Sequence, residues 1–254
     1  MPNALQTPPQ RSSASTERDT WANAPRRFPP GRFAVVEPIG LAVHDWAHPQ
    51  PGRPRMFDQN LLEWFSHIHP ASLVAVYVPW SAYSFWRGLA TGVSPALSVV
   101  LFAAGLFGWT LLEYLIHRFS FHYVPRGPIG MFYAYMIHGV HHAFPEDDRR
   151  WLVPPIISAT ISAGIYFLLR WIFGGLLCLP IFAGGLVGYL VYDLSHYAMH
   201  RGRSRFAFFN LLRQRHLQHH YATPERWFGV STPIWDYVFR TTAPARRDAS
   251  ASSR

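Results

Sequence analysis

Residues 138–150 read HGVHHAFPEDDRR and residues 216–220 read HLQHH, so the spacing H-x2-HH occurs twice in the chain. On a helix, positions i, i+3 and i+4 share one face. Each triplet is therefore predicted to aim its three imidazoles at one point. Because neutral imidazole is a common metal ligand, the two triplets predict a metal site. The rest of the chain must then bring these two stretches together.

Two histidine pairs accompany the triplets. His196 and His200 are four positions apart and share a helix face. His117 and His122 would lie about 140° apart on an ideal α-helix, so we expect the helix to end or distort there. Ten of the 14 histidines fall into these four groups and are the candidate metal ligands: His117, His122, His138, His141, His142, His196, His200, His216, His219 and His220.

The number and type of these side chains indicate more than one metal ion. A single zinc ion needs only four protein ligands, so ten imidazoles suggest two metals. The single cysteine, Cys178, excludes a site built from several thiolates, and imidazole ligands suit iron, zinc or copper. Glu113, Asp147 and Asp193 lie near the groups in sequence and are candidate acceptors for ring N–H groups. A helix-end or salt-bridge role is equally open for each of them.

The remaining four histidines lie outside the patterns. They are His44, His48, His67 and His69. For these side chains we expect ordinary hydrogen bonding rather than metal binding.

Composition places the chain in a membrane. Hydrophobic residues make up 49% of its 254 residues and charged residues only 15%, whereas a soluble domain has about 25% charged residues. A net charge of +9 is compatible with nucleic-acid binding, but no nucleic-acid motif is present. Apolar runs flanked by arginine favour an anionic lipid surface instead, so we expect a membrane and no nucleic acid as partner.

Four apolar runs approach the roughly 20 residues that are needed to cross a bilayer. They are residues 71–86, 94–116, 152–173 and 175–192. We therefore predict an all-α integral membrane protein with four transmembrane helices in two hairpins. The preceding segment, 57–70, has the spacing of an amphipathic helix that lies on the membrane surface.

The arginines predict the orientation of the hairpins. Only Arg87 and Arg170 lie at the hairpin turns, and all other arginines lie in the N-terminal tail, in 117–151 or after residue 200. By the positive-inside rule, these basic regions are cytoplasmic. The histidine groups then lie on the cytoplasmic side, at the foot of the hairpins, and we expect the membrane to be the inner membrane of a bacterium or the endoplasmic reticulum of a eukaryote.

The chain divides into three parts by composition. Residues 1–55 are rich in Pro, Ser, Ala and Arg and are predicted to be a disordered tail without a secretory signal peptide. Residues 56–241 form the membrane-embedded domain, and residues 242–254 are predicted to be a disordered C-terminal tail.

Four stretches together resemble the fatty acid 2-hydroxylases, within the fatty acid hydroxylase and sterol desaturase superfamily. They are EYLIHRFSFH (113–122), HGVHHAFPEDDRRWLVPP (138–155), YDLSHYAMHRG (192–202) and RHLQHHYATPERWFGVSTPIWDYVF (215–239). The resemblance extends over about residues 57–241. It includes Pro145-x-Asp147-x-x-Arg150 and FGVSTPIWDYVF in addition to the histidines.

This resemblance implies a site, a reaction and cofactors. It implies that four membrane helices lie under a cytoplasmic helical cap, in which the ten grouped histidines ligate a non-haem dimetal centre. The reaction implied is O2-dependent hydroxylation at C2 of a long-chain fatty acid or of the acyl chain of a ceramide-like lipid. Breaking an unactivated C–H bond needs redox chemistry, so two iron ions are expected, although zinc can occupy such sites in purified protein.

An external electron donor is also expected. Many eukaryotic members carry a cytochrome b5 domain with an HPGG motif, but this tail offers only HDWAHPQPG at 44–52. We therefore expect a separate redox partner of the cytochrome b5, ferredoxin or reductase type.

Two alternative functions remain open at this stage. A sterol or sphingoid-base hydroxylase or desaturase of the same superfamily would oxidise a different position. A membrane protein that binds metal without catalysis would need ionisable residues along its spans, and here Glu113 and Asp193 lie only at the ends of the apolar runs.

Overall fold

A computed structural model of the protein describes residues 34–36, 41–43, 49–123 and 128–243. Near the N-terminus, β1 (Ala34–Val36) pairs antiparallel with β2 (Leu41–Val43). This strand pair lies in the predicted tail and is an exception to the all-α prediction. Valine favours strands, which accounts for the local preference. The rest of the chain up to residue 48 and residues 244–254 lie outside the described residues, so the predicted tails stay predictions there.

All other regular elements of the described residues are helical. The α-helices are α1 (Asn60–Phe65), α2 (Pro70–Ala90), α3 (Pro95–Ile116), α4 (Pro128–Ala134), α5 (Val140–Ala143), α6 (Pro155–Arg201), α7 (Ala207–Tyr221) and α8 (Ile234–Val238). Two π-helical turns lie between them, at His117–Phe121 and Tyr135–Gly139.

Proline begins each of the three long helices. Pro70, Pro95 and Pro155 occupy the first turn, where a missing N–H costs no helical hydrogen bond. Ser94 caps α3 by accepting a hydrogen bond from the Leu97 N–H at 3.3 Å. The pair Pro154-Pro155 therefore marks a helix start rather than a break in the third apolar run.

Within the part of the chain that the structure describes, two helical segments are long and apolar enough to cross a membrane, Pro95–Phe121 and Pro155–Arg201. The second has 47 residues and contains a break at Gly174, whose φ of +77° is a conformation that glycine adopts without strain. Its two arms, 155–173 and 175–201, correspond to the third and fourth apolar runs. Since α2 covers the first run and α3 the second, all four predicted runs are helical.

Small residues allow α3 and the second arm of α6 to approach closely. A Cβ atom added at Gly105 would overlap the backbone carbonyl of Ile181, and one added at Gly184 would overlap that of Phe102. Gly188 packs against the Trp109 side chain in the same way. Gly184-x3-Gly188 is thus a small-residue motif typical of packed membrane helices.

The helix α2 packs on the other side of α6. The Ser81 hydroxyl donates to the Ala183 carbonyl at 2.9 Å, and the Tyr77 hydroxyl donates to Ser158 Oγ at 2.8 Å. Tyr77 is fully buried and contacts the Tyr189 ring edge-to-face at 4.6 Å. These contacts fix α6 against α2 without any charged group.

Residues 50–55 already make contacts with the helical domain, although the domain was predicted to begin at residue 56. The Gln50 N–H donates to the Ala143 carbonyl at 2.8 Å, and Arg150 donates to the Pro54 carbonyl at 2.9 Å. Arg150 is buried and also pairs with Glu63 at 2.5 Å and with Asp147. This buried ion network ties residues 49–56, α1 and the loop after α5 to one another.

The amphipathic segment is helical only over Asn60–Phe65. The side chains of Leu61, Trp64 and Phe65 are each at least 60% exposed, whereas Glu63 on the opposite face is buried. The predicted helix is therefore shorter than 57–70, but its apolar face is exposed as a surface-lying helix requires.

We predict that Gly184→Val disrupts the packing of α3 on α6. The added side chain meets backbone, which cannot move aside as a flexible side chain can, so we expect a loss of about 3 kcal/mol in unfolding free energy. Thermal unfolding of the detergent-solubilised protein measures this. Gly164→Val is the matched control, because a Cβ atom at Gly164 meets nothing within 4 Å. Equal melting temperatures for the two variants would contradict the predicted packing.

Candidate metal centre

The ten grouped histidines converge into two sets of five. In each set one nitrogen per ring lies within 4.8 Å of the corresponding nitrogens of the other four rings. The first histidine group is His117, His122, His138, His142 and His219. The second histidine group is His141, His196, His200, His216 and His220. The structure thus brings all ten grouped histidines together, but it gathers them at two separate foci.

The predicted distortion between His117 and His122 is confirmed. Residues His117–Phe121 form a π-helical turn, and the His122 N–H donates to the His117 carbonyl at 3.3 Å, five residues back. The wider turn rotates positions i and i+5 towards one face. The Nε2 atoms of the two rings consequently lie 3.3 Å apart.

The prediction that each triplet points at one focus is wrong. His138 and His142 join the first histidine group, whereas His141 joins the second. The other triplet divides the opposite way, with His216 and His220 in the second group and His219 in the first. Positions i+3 and i+4 are about 100° apart on a helix, so adjacent histidines straddle two neighbouring foci.

Distances between ring nitrogens fit metal coordination. In the first group His138 Nε2 lies 3.0 Å from His117 Nε2 and 2.9 Å from His142 Nε2. In the second group His196 Nε2 lies 2.8 Å from His141 Nε2. Metal–nitrogen bonds of about 2.0–2.1 Å give tetrahedral or octahedral edges of about 2.8–3.4 Å. These separations are therefore those of ligands around a shared ion.

Burial keeps these rings neutral. It lowers the pKa of His138, His141 and His142 well below the ordinary value, and it does the same to the pKa of His219 and His220. A neutral imidazole offers a lone pair to a metal, and a protonated one does not. The Nε2 atoms of His219 and His220 are buried and have no hydrogen-bond partner among the described residues, so both are available to ligate a metal ion.

Backbone carbonyls orient two rings of the first histidine group. His117 Nδ1 lies 2.6 Å from the Phe228 carbonyl oxygen, and His219 Nδ1 lies 2.6 Å from the Arg226 carbonyl oxygen. A carbonyl accepts only, so Nδ1 carries the proton in both rings and Nε2 remains free for a metal. Between these carbonyls, Trp227 has a φ of +57°, a strained conformation for a bulky residue.

The three carboxylates that were candidate acceptors for ring N–H groups bind other donors, and Asp147 has the salt-bridge role that was equally open. Glu113 accepts from the N–H groups of Val230 and Ser231 at 2.6 and 2.9 Å. The remaining two also pair outside the histidines: Asp147 accepts from Arg149 and Arg150, and Asp193 accepts from the Tyr189 hydroxyl at 2.8 Å. The ring N–H acceptors that the structure shows are instead carbonyl oxygens, which sequence patterns do not mark.

Sequence reasoning missed a fourth carboxyl group near the site. Asp236 is fully buried and accepts from the N–H groups of Phe228 and Gly229, both at 2.9 Å. Its only sequence signal was its place in the quoted stretch FGVSTPIWDYVF.

The described histidines outside the groups have structural roles, as expected. His69 Nδ1 accepts from the Ala71 N–H at 3.1 Å and caps α2, and His67 lies 3.2 Å from Glu63. His44 and His48 lie outside the described residues.

An apolar groove leads towards the histidine groups. It has a volume of about 370 Å³ between α3 and the two arms of α6, and its lining includes Gly108, Trp109 and Tyr189. Trp109 and Tyr189 also line a smaller cavity of about 40 Å³, which reaches Phe121 and Tyr192. The ring of Tyr192 is stacked on His196, and that of Phe121 on His138. The smaller cavity, which shares Trp109 and Tyr189 with the groove, is therefore lined by side chains that contact both histidine groups.

Comparison with known proteins places this arrangement in a family. Residues 102–241 match the fatty acid hydroxylase family. The chain is 35% identical over 234 residues to the fatty acid 2-hydroxylase of Rattus norvegicus, a match covering 83% of this chain and 62% of the relative. It is 30% identical to a dihydroceramide fatty acyl 2-hydroxylase of Arabidopsis thaliana, over 80% of this chain and 87% of the relative.

A solved structure has the same fold. It is described as full-length scs7p with only the hydroxylase domain visible. The TM-score is 0.74 at 30% identity, over 79% of this chain and 77% of the other. On these matches, the chain belongs to the fatty acid hydroxylase family.

Proposed function

We propose that this protein is a non-haem di-iron oxygenase that hydroxylates C2 of a long acyl chain, either in a free fatty acid or in a ceramide-like lipid. The observation that carries the proposal is the pair of five-histidine groups beside a small apolar cavity that shares lining residues with a larger apolar groove. The names of the rat and Arabidopsis relatives, a fatty acid 2-hydroxylase and a dihydroceramide fatty acyl 2-hydroxylase, support both substrate classes.

Iron accounts for the reaction better than zinc does. The ten histidines would hold two ions, one in each group. Bound iron would supply the activation of O2 that C–H cleavage needs, whereas zinc has no redox chemistry. In the overall reaction one oxygen atom of O2 enters the C2–H bond as hydroxyl. The other oxygen atom leaves as water, with two electrons and two protons taken from outside.

The groove would bind the acyl tail. Its lining is apolar, and it lies between helices that we assign to the membrane, so a hydrocarbon chain can enter from the lipid. Phe121 and Tyr192, at the inner end, would hold C2 beside the histidine groups and exclude water. The substrate head group would then remain at the interface.

We further propose four membrane spans with the histidine groups on the cytoplasmic side. The spans are α2, α3 and the two arms of α6. Support comes from the arginines of the described residues: Arg87 and Arg170 lie near the two hairpin turns, at Gly92 and Gly174, and the others precede α2, follow α3 or lie from the end of α6 onwards. The membrane would be the bacterial inner membrane or the endoplasmic reticulum.

Electrons would come from a separate protein of the cytochrome b5, ferredoxin or reductase type. Arg201, Arg203 and Arg205 are exposed on the segment that joins α6 to α7. A basic surface of this kind attracts an acidic electron carrier.

Replacing one histidine of each group tests the metal assignment. We expect His141→Ala and His219→Ala each to lower the metal content from two ions per chain towards one, because each variant removes a ligand from a different group. Hydroxylation should fall by at least about 100-fold, since metal-site changes of this kind are costly. Elemental analysis and product assays measure both effects. His67→Ala is the control, and full metal content in either ligand variant would refute the assignment.

Product analysis tests the position of oxidation. Membranes that contain the protein are incubated with ¹⁸O2 and either a long-chain fatty acid or a ceramide. We expect one ¹⁸O atom at C2 of the acyl chain, located by fragmentation in mass spectrometry. Oxidation of a sterol or a sphingoid base would instead support the alternative in the same superfamily, and metal binding without any product would support a non-catalytic role.

Gly108 tests the groove as the acyl-chain site. A Cβ atom there meets nothing within 4 Å, so Gly108→Leu fills the groove without a clash in the protein. We expect kcat/KM for long chains to fall about tenfold or more relative to short chains. Gly164→Leu, at an exposed glycine outside the groove lining, is the matched control. An unchanged chain-length profile in Gly108→Leu would rule out the groove.

A further inference from the structure

Four consecutive backbone N–H groups in the turn Phe228–Ser231 donate to two buried carboxyl groups. Phe228 and Gly229 donate to Asp236, and Val230 and Ser231 donate to Glu113. Glu113 also accepts from the Ser231 hydroxyl. Glu113 lies near the end of α3 and Asp236 lies on α8, so the turn is held from two separate elements. A turn whose amides are all satisfied in this way has little freedom to move.

The same turn carries an acceptor for a metal-binding ring. The Phe228 carbonyl accepts from His117, and the Arg226 carbonyl, two residues earlier, accepts from His219. Between them, the Trp227 N–H donates to the Thr241 carbonyl, and Thr241 Oγ1 donates to Asp236 at 2.8 Å. Asp236 therefore holds Phe228 and Gly229 directly and Trp227 through Thr241, which are the residues next to the two carbonyls.

We propose that Asp236 and Glu113 are positioning residues for the first histidine group. In this role they act through the backbone of the turn rather than as metal ligands. They hold the segment Arg226–Ser231 in place, and its carbonyls fix the proton of His117 and His219 on Nδ1 and turn Nε2 towards the ion. This inference requires only that the histidine groups bind metal, and it does not depend on the substrate or the position of oxidation.

The packing around Gly229 leaves the segment no alternative position. A Cβ atom at Gly229 would overlap the Thr232 carbonyl and lie 2.8 Å from Asp236 Oδ2. Strain at Trp227 points the same way, because a left-handed conformation in a bulky residue persists only where its surroundings enforce it. The segment is thus fixed by its contacts rather than by its own preference.

The hydrogen-bond pattern distinguishes two conservative variants. Both oxygens of Asp236 accept from a backbone N–H, so either orientation of the amide in Asp236→Asn sets its NH2 group against a donor. In Glu113 only one oxygen accepts from backbone, and the other faces the Ser231 hydroxyl, which can accept instead. Glu113→Gln can therefore keep the turn, and Asp236→Asn cannot.

The test is a zinc titration of the detergent-solubilised full chain after chelation, with bound zinc counted by elemental analysis. Wild-type protein should bind two ions. In Asp236→Asn we expect the affinity of one ion to fall about 10–100-fold, as is usual when an orienting partner is lost, while the second ion and the helical circular dichroism are unchanged. Glu113→Gln should bind both ions as the wild type does.

Gly229→Ala provides an independent disturbance of the turn and decides the matter if Asp236→Asn does not fold. It changes no carboxyl group and no histidine, and we expect the same selective loss of one ion. Two ions bound with unchanged affinity in Asp236→Asn or in Gly229→Ala would overturn the proposal. Loss of both ions in step with the helical signal would also overturn it, because that result indicates a general structural role. If the wild-type protein bound no zinc in this titration, the metal centre itself would be refuted.

Discussion

The structure depends on the convergence of ten neutral imidazoles on two foci. Lone pairs that face one another at about 3 Å repel unless a cation or a proton lies between them. Burial disfavours protonation of these rings, so a metal ion is the group that relieves the repulsion. Three of the elements that carry the histidines are very short: α5 has four residues and each π-helical turn has five, too few to be stable in isolation. Metal binding should therefore contribute to the folding of this end of the molecule as well as to its chemistry.

The two H-x2-HH triplets contribute to the two histidine groups in opposite proportions. The triplet at 138–142, from the second π-helical turn and α5, gives two rings to the first group and one to the second, whereas the triplet on α7 gives one ring to the first group and two to the second. Each group is then completed by a pair, His117 and His122 in one and His196 and His200 in the other. This interleaving means that neither group can form without both triplets. Assembly of one group consequently helps to assemble the other.

The sequence predicted which residues form the site more completely than it predicted how those residues are arranged. The ten histidines, the four apolar runs and the distortion after His117 follow from spacing, since each is a local feature. The division of each triplet between two foci was missed because spacing shows which rings share a face but not how many ions face it. Carbonyl acceptors were missed because any residue can supply one. Asp236 and the close approach at Gly184 depend on contacts distant in sequence, which a single chain does not reveal.

Direct location of the ions tests the central claim most clearly. The measurement is an anomalous diffraction map of the iron- or zinc-loaded protein, recorded at the absorption edge of the metal. The account predicts two peaks per chain, one inside each histidine group, with imidazole nitrogens as the protein ligands. A single peak, or peaks ligated mainly by carboxylates, would contradict it.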